Sequence, residues 1–446
     1  MQQMYGRRLL QSEMDQLIHC KEYNIYPGFT KTTIGVYCTR CGKLKKNDYF
    51  SQPCQHCKKQ CYYCPFCIQM GKITACSMLY HLPEKNEFPT AVLNPLTWQG
   101  ELSKQQATAS KEILQAIKQN EKRLVWAVAG AGKTEIVFEG IRAAIQQGKR
   151  ICFASPRVDV CLEIAPRLAE AFTNTSQCLL YGGMEEAYQY TQLVVATTHQ
   201  LLRFYEAFDV LIIDEIDAFP YTVDECLHYG ATQASKKESC LIYLTATPDK
   251  TLQRQVHRQE MKCSILPSRY HGHPLPVPIA RWIGNWQQEL EKGKLNLRLQ
   301  KLIQTIINQN QPLLIFLPHI NYMKKLAKIV KRHFRTLSMA TVYAADPERK
   351  EKVLAMRKGK LQLLFSTTIL ERGVTFTNVQ VIVFGAEDTT FTSASLIQIA
   401  GRVGRKADFP TGAVIFLHNG KTKAIKQSIK EIQKMNTLAL KQGLLL

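Results

Sequence analysis

Apolar stretches of strand length alternate with amphipathic helical patterns through most of this chain. Between residues 98 and 266 the candidate strands are LVWAVA, RICFAS, CLLYG, LVVATT, VLIIDE and CLIYLTAT. From residue 287 the alternation resumes with LLIFLP, ATVYAA, QLLFSTT, VQVIVFG and GAVIFLH. Short apolar strands separated by helices favour parallel pairing, with helices covering both faces of the sheet. The sequence therefore predicts an α/β fold with two parallel-sheet domains in tandem.

The remaining segments define the domain boundaries. Residues 1–97 are rich in cysteine and contain a candidate zinc-binding module at about 36–76, ahead of the first α/β domain at 98–266. The connector LPSRYHGHPLPVPIARW contains four prolines, which oppose regular secondary structure. We assign residues 267–286 to a Pro-rich linker and residues 287–446 to the second α/β domain.

Net charge and hydropathy indicate which partners and which compartment to expect for this chain. The formal net charge is +22, which favours a polyanionic partner and in particular nucleic acid. No apolar run approaches the roughly 18 residues of a transmembrane helix, and the N-terminal residues lack a secretory signal pattern. We expect a cytoplasmic protein; peripheral attachment at the inner face of the cell membrane is left open.

The stretch AVAGAGKTE, between an apolar strand and a helical pattern, predicts a phosphate-binding loop. The small residues Gly130, Ala131 and Gly132 let backbone N–H groups curl around phosphates at the start of the next helix. Lys133 would reach the β- and γ-phosphates, and the hydroxyl of Thr134 would ligate Mg²⁺. The expected cofactor is ATP with Mg²⁺.

An acidic pair follows the apolar strand in VLIIDEIDAF. Asp214 would hold Mg²⁺, directly or through water, and Glu215 would act as the general base or orient the attacking water. Upstream of the phosphate-binding loop, Gln106 would read the amino edge of adenine. The alternative for Gln106 is an ordinary polar surface residue.

The second half contains the string QIAGRVGRK, with Gln398, Arg402 and Arg405. Two arginines spaced by three residues can reach one anion together. An arginine from a second domain that closes on the γ-phosphate raises the rate of phosphoryl transfer by roughly 10³–10⁵. We predict that these three residues contribute to ATP hydrolysis and couple it to movement of the second domain.

These strings resemble the motifs of superfamily 2 helicases, since AxxGxGKT, DEID, TATP, STTILERGVTF and QIAGRVGR occur in the order typical of that superfamily. The strings SPRVDVCLEIAPRL, ATTHQLLRF and DEIDAFPY, with cysteines ahead of the motor, are similar to the ComFA-type ATPases of bacterial competence. That family is implicated in pulling transforming single-stranded DNA into the cytoplasm. The resemblance implies two RecA-like domains, with the membrane DNA-uptake channel and other cytosolic competence proteins as partners.

The resemblance also implies roles for matched positions. Thr245 and Thr247 would couple the nucleotide site to DNA, and Arg372 and Gly373 would shape the cleft between the domains. Residues at three motifs would contact the nucleic-acid backbone: Pro156, Arg157, Thr197, Thr198, Thr367 and Thr368. Small hydroxyls and main-chain amides suit a protein that holds phosphates without reading sequence. Capping of strand ends is an alternative role for each threonine.

Nine cysteines lie in the first 76 residues, at positions 20, 38, 41, 54, 57, 61, 64, 67 and 76. Two Cys-x₂-Cys pairs can supply four thiolates to one structural Zn²⁺. Resemblance of CYYCPFCI to the family favours the tetrad Cys38, Cys41, Cys64 and Cys67. Two alternatives stay open: the intervening Cys54, Cys57 and Cys61 displace one pair, or they build a second zinc site with His56, Cys76 or His81.

The leading hypothesis is an ATP-driven, single-stranded-DNA translocase for uptake of transforming DNA. One alternative is a replication-restart type DNA helicase, although in that class the cysteines interrupt the motor. Another is a zinc-containing DNA-binding adaptor whose motor fold senses ATP without hydrolysing it. The strings DEID and TATP differ from the DEAD and SAT strings of RNA helicases and therefore disfavour that class.

Overall fold

The computed structural model describes residues 2–14, 22–33, 35–43, 50–89, 94–184 and 186–446. Contacts divide the chain into two units. The first consists of Met1–Val125 and Thr134–Ser264, and the second of Trp126–Lys133 and Ile265–Leu446. Among the described residues, no helix combines the length and the apolar character that crossing a bilayer requires.

Small antiparallel pairings characterise the N-terminal region. Its strands are β1 (Arg8–Leu10), β2 (Asn24–Pro27), β3 (Phe29–Thr32), β4 (Gly35–Cys38), β5 (Phe50–Pro53), β6 (Gln60–Tyr63) and β7 (Met78–His81). Strand β7 lies between β1 and β2, whereas β3–β4 and β5–β6 pair with each other. Two-stranded sheets are marginally stable alone, so this region needs further support.

A larger sheet follows, with the strand order β10-β11-β9-β12-β13-β8-β14. Strands β9 to β13 pair in parallel wherever they are neighbours, and every residue of β9 and β11 is buried. This confirms the prediction of a parallel sheet covered on both faces. The elements are α1 (Lys104–Lys118), β8 (Lys122–Ala127), α2 (Phe138–Gln146), β9 (Ile151–Ser155), α3 (Val158–Ala171), β10 (Gln177–Leu180), β11 (Leu193–Thr197), β12 (Phe208–Asp214), α4 (Glu225–Ala234), β13 (Ser235–Thr245), α5 (Lys250–His257) and β14 (Lys262–Leu266).

The C-terminal sheet has the order β15-β20-β19-β16-β18-β17, and all its neighbouring strands are parallel. It confirms the second α/β domain of the tandem. Its elements are β15 (Ile279–Trp282), α6 (Trp286–Glu291), α7 (Leu297–Asn308), β16 (Leu313–Phe316), α8 (Ile320–His333), β17 (Met339–Val342), α9 (Arg349–Arg357), β18 (Leu363–Ser366), β19 (Gln380–Phe384), α10 (Ser393–Ala400), β20 (Val414–His418) and α11 (Lys423–Lys441).

The Pro-rich connector differs in part from the expectation that it lacks regular structure. Residues 267–278 contain no helix or strand, but Ile279–Trp282 forms β15 at the edge of the C-terminal sheet. The last proline of the connector is Pro278, so the residues after it keep their backbone N–H groups. An edge strand needs only one hydrogen-bonded neighbour, which makes this position compatible with nearby prolines.

One apolar core in the first unit joins the N-terminal module to the large sheet. The same cluster of buried residues contains Phe29, Ile73 and Leu79 from residues 1–97 and Leu201 and Phe204 from the α/β part. Polar contacts reinforce this packing: the buried guanidinium of Arg150 forms an ion pair with Glu84 at 2.6 Å. The module is therefore an integral part of the first unit rather than an appendage.

Candidate functional site

The phosphate-binding loop follows β8 and precedes a short 3₁₀ turn, Glu135–Val137, and α2. Gly130 and Gly132 have φ values of +85° and +76°, a left-handed backbone that disfavours other residues. The N–H of Ala131 donates to the carbonyl of Val128 at 3.1 Å. This curled, glycine-containing path between strand and helix has the local form that cradling of phosphates requires.

Arg269, in the connector, is a candidate functional residue that sequence reasoning missed. Its side chain is 1% exposed and donates to the carbonyls of Ala129 at 3.3 Å, Gly401 at 3.4 Å, and Gly404. Burial, and to a smaller extent the charge of Arg405, lowers the pKa of Arg269. Arg269 therefore ties the phosphate-binding loop to the QIAGRVGR motif. No spacing rule identifies it, because its partners lie far away in sequence.

The acidic pair stands at the end of β12. Asp214 is 6% exposed, and its carboxylate accepts the backbone N–H of Glu215 at 2.8 Å. Glu215 has a φ of +54°, a left-handed conformation that costs a non-glycine residue about 1–2 kcal/mol. Strained backbone of this kind concentrates at functional positions. The roles of Asp214 in holding Mg²⁺ and of Glu215 in orienting water stay predictions.

The TATP motif contacts the DEID motif directly. The hydroxyl of Thr247 donates to the carboxylate of Asp217, and the backbone N–H of Thr247 donates to the hydroxyl of Thr245 at 3.0 Å. Both threonines are buried. A change at one motif can therefore be transmitted to the other through a single hydrogen bond.

Gln106 is 5% exposed, which argues against an ordinary polar surface residue. Its side-chain oxygen accepts the backbone N–H of Ser103 at 2.8 Å, at the start of α1. This bond orients the side chain, and recognition of adenine by Gln106 stays a prediction.

The QIAGRVGR motif begins on α10, where Gln398 is 4% exposed. Arg402 is 1% exposed and donates to the carbonyls of Glu371 and Val374. These contacts favour a positioning role for Arg402 in holding the STTILERGVTF segment. Arg405 is half-buried, and its Nε donates to the carbonyl of Gly401 at 3.0 Å. Contact of Arg405 or Arg402 with the γ-phosphate stays a prediction.

The predicted nucleic-acid contacts fall in several places. Pro156 and Thr197 line the same cleft of the first unit, which has a volume of about 680 Å³. Arg157 lies beside Pro156, with its guanidinium 3.5 Å from Asp159, while Thr198 is completely buried. In the second unit, Thr367 and Thr368 are half-buried at the end of β18, where Thr368 starts a 3₁₀ turn.

Two arginines that sequence reasoning missed line this cleft. Arg203 contacts Glu13 at 3.2 Å, and Arg7 stacks over the ring of Tyr188 at 4.1 Å. Burial, and less strongly the nearby Arg203, lowers the pKa of Arg7. Two neighbouring arginines can together bind an anion, although Glu13 and Glu186 also line the cleft. We name this surface the strand cleft and define it by Arg7, Pro156, Thr197 and Arg203.

The favoured cysteine tetrad comes together in the N-terminal module. Cys38, Cys41, Cys64 and Cys67 are at most 1% exposed, and their sulfur atoms all lie within 4.8 Å of one another. The Sγ atoms of Cys38 and Cys67 are 3.8 Å apart, and those of Cys41 and Cys64 are 3.6 Å apart. Zn–S bonds of about 2.3 Å give a tetrahedron edge of about 3.8 Å. The residues therefore fit one structural Zn²⁺; Cys20 lies outside the described residues.

Family models match three segments of the chain. The model described as the competence protein ComFA N-terminal domain matches residues 1–81. Those described as type III restriction enzyme, res subunit, and helicase conserved C-terminal domain match residues 99–250 and 297–407. The competence protein ComFA of Bacillus subtilis (strain 168) is 41% identical over 448 residues, which cover 99% of this chain and 96% of that protein. The chain belongs to the ComFA family.

Other comparisons agree with this assignment. The competence protein ComFA of Streptococcus pneumoniae is 40% identical over 410 residues, which cover 92% of each chain. Among solved structures, S. cerevisiae Dbp5 bound to RNA and ADP BeF3 aligns with a TM-score of 0.54 and 15% identity, covering 75% of this chain and 91% of that one. This likeness shows the tandem RecA-like fold alone. The ComFA family thus combines an N-terminal domain of its own with helicase-like domains.

Proposed function

We propose that the protein is an ATP-driven motor that translocates single-stranded DNA during uptake of transforming DNA. The observation that carries the proposal is the strand cleft, in which the two motif residues Pro156 and Thr197 lie beside Arg7 and Arg203. Membership of a competence-protein family supports the biological setting. In that setting the motor works beside the membrane DNA channel with cytosolic competence proteins.

The chemistry assigned to the nucleotide site is hydrolysis of ATP. Lys133 and Thr134 hold the phosphates and Mg²⁺ together with Asp214, while Glu215 orients or deprotonates the attacking water. Arg405 stabilises the charge that develops on the γ-phosphate. The left-handed Glu215 and the glycine-containing loop support these roles.

The strand cleft suits a DNA backbone rather than a particular sequence. Its arginines can pair with phosphates, although Glu13 and Glu186 also line it, and its lining tyrosines, Tyr181 and Tyr188, offer faces for stacking. A motor must hold every sequence with similar strength, and such contacts meet that requirement. We assign Zn²⁺ in the Cys38 tetrad a structural role, because four thiolates leave no open coordination position.

The test is the dependence of ATP turnover on added polymer. Phosphate release is measured with no nucleic acid, single-stranded DNA, duplex DNA and RNA at one salt concentration. We expect the largest stimulation by single-stranded DNA. Equal stimulation by every polymer, or none by any, contradicts the proposal, and stimulation by duplex DNA alone favours the replication-restart type helicase.

The Lys133→Ala variant provides a second test of the same proposal. Loss of the lysine removes the charge that contacts the β- and γ-phosphates, so turnover should fall to background with and without DNA. Lys237→Ala is the matched control, since the side chain of Lys237 is 86% exposed. If Lys133→Ala keeps DNA-stimulated turnover, the assignment of the ATP site is wrong.

A further inference from the structure

A second set of four cysteines lies in the N-terminal module, apart from the Cys38 tetrad. The sulfur atoms of Cys54, Cys57, Cys61 and Cys76 all lie within 4.8 Å of one another. The Sγ atom of Cys76 is 3.6 Å from that of Cys54 and 3.8 Å from that of Cys61. These separations match the edge of about 3.8 Å in a tetrahedron of sulfurs around Zn²⁺. We name this set the outer tetrad, because three of its cysteines are only half-buried.

The backbone of the outer tetrad forms a tight turn between its first two ligands. The N–H of Cys54 donates to the carbonyl of Lys59 at 2.9 Å, and the N–H of Lys58 donates to the carbonyl of Cys54 at 2.9 Å. Lys58 holds a left-handed φ of +57°, which costs a non-glycine residue about 1–2 kcal/mol. A bound metal that fixes the turn offsets this cost.

The turn repeats the one in the Cys38 tetrad. There the N–H of Cys38 donates to the carbonyl of Lys43 at 3.2 Å, and the N–H of Gly42 donates to the carbonyl of Cys38 at 2.8 Å. Gly42 has a φ of +69°, close to that of Lys58 at the equivalent position. The same Cys-x₂-Cys turn therefore occurs twice in one module, each time facing two further thiols.

The distances argue against a disulfide or an iron–sulfur cluster at the four thiols. All eight cysteines of the two sets are free, and a disulfide requires sulfurs about 2.05 Å apart. In an iron–sulfur cluster the four cysteines are shared among two or four irons, which places sulfurs on different irons farther apart than around a single ion. A compact set of four sulfurs is the ligand geometry of one tetrahedral ion, and zinc is the usual occupant.

We propose that Cys54, Cys57, Cys61 and Cys76 bind a second structural Zn²⁺. The two sets alternate along the chain: three outer ligands lie between Cys41 and Cys64, and Cys76 follows Cys67. Each ion therefore closes a loop that contains ligands of the other. Two small hairpins without a large core of their own gain their stability from such closure.

The experiment measures metal in the purified full-length protein. We expect about two equivalents of zinc per chain, falling to about one in the Cys57→Ser variant. Cys263→Ser is the control, because Cys263 is another half-buried cysteine and belongs to neither set; this variant should keep two equivalents. One equivalent in the unaltered protein overturns the proposal, as does a Cys57→Ser variant that keeps two.

A second measurement avoids any dependence on how the variants fold. The unaltered protein is treated with iodoacetamide before and after removal of zinc, and each cysteine is followed by mass spectrometry. We expect Cys54, Cys57 and Cys76 to resist alkylation until zinc is removed, although they are half-buried, as Cys263 is. Alkylation of Cys54 and Cys57 at the rate of Cys263 while zinc is bound overturns the proposal. Neither measurement depends on the proposed motor activity.

Discussion

At the scale of single residues, the bond between Thr247 and Asp217 is the clearest route between two motifs of the first unit. Asp217 is the last residue of DEID, three positions after the predicted Mg²⁺ ligand Asp214. Thr247 lies in TATP, just after β13, which is the neighbour of β12 in the sheet. We therefore predict that the nucleotide site and bound DNA affect one another through this hydroxyl.

Replacement of Thr247 by valine should uncouple DNA binding from ATP turnover. Valine keeps the shape but loses the hydroxyl, and a hydrogen bond to a charged group contributes about 1.5–3 kcal/mol. We expect DNA stimulation of phosphate release to fall roughly tenfold or more, with unstimulated turnover retained. Thr232→Val, at an exposed position of α4, is the control. Full stimulation in Thr247→Val contradicts the coupling role.

Replacement of Arg203 by alanine tests the strand cleft. Loss of one phosphate contact should raise the DNA concentration for half-maximal ATPase without changing unstimulated turnover. It should also lower the slope of log affinity against log salt by about 0.7, the value for a single strand. Arg258→Ala provides the comparison, since that side chain is 71% exposed. An unchanged salt slope in Arg203→Ala shows that Arg203 makes no phosphate contact.

Local patterns identified some site residues and missed others for a physical reason. Gly130 and Asp214 lie at junctions of a strand with its following segment, where sequence order alone defines the chemistry. Arg203 and Arg269 acquire their roles from distant partners, namely Glu13 and the carbonyls of Gly401 and Gly404. Nothing in the residues flanking these arginines encodes such contacts.

At the scale of secondary structure, long buried apolar runs were predictable and a short exposed strand was not. The runs that became β9, β12 and β19 are buried almost throughout, so that hydrophobicity alone indicates them. Strand β15 has three of its four residues exposed and follows three closely spaced prolines. Its pairing with β20 depends on the assembled sheet, which a local pattern does not contain.

The docking of the first cysteine turn on α4 gives a prediction at this scale. A Cβ atom on Gly42 would lie 2.4 Å from the ring of Tyr229, and Gly42 has a φ of +69°. Gly42→Ala should therefore lower the free energy of unfolding by about 1–2 kcal/mol for the backbone and about 1–3 kcal/mol for the clash. Urea denaturation measures the sum of the backbone and clash contributions.

Gly148→Ala separates the two contributions. Gly148 has a nearly identical φ of +68°, but a Cβ atom there meets nothing within 4 Å. Gly148→Ala should therefore lower the free energy of unfolding by the backbone contribution alone. Adding Tyr229→Ala to Gly42→Ala should restore part of the lost stability, because it removes the ring that the new Cβ atom would meet. Equal destabilisation at both glycines would mean that Tyr229 does not constrain the turn.

At the scale of the molecule, the shared core of the first unit makes the N-terminal module necessary for the motor. Leu201, Phe204 and Tyr221 pack in the same cluster as Ile73 and Leu79 of the module. Deletion of residues 1–97 would expose this apolar surface, and exposed apolar patches of this kind promote association.

We therefore expect the 98–446 fragment to aggregate or to bind a hydrophobic dye. Size-exclusion chromatography and dye fluorescence measure this, with the full-length protein as the reference. A monomeric fragment that binds no dye and hydrolyses ATP at the full-length rate would contradict an integral role for the module.

The same shared core sets an order for biosynthesis. The ribosome releases Phe29 to Leu79 well before it has made Val194 to Leu241, which complete their packing. These residues of the nascent chain therefore keep an uncovered apolar surface while the rest of their unit is translated. Packing of the cysteine-rich part against the sheet is thus a late step, because it awaits synthesis of residues up to Leu241.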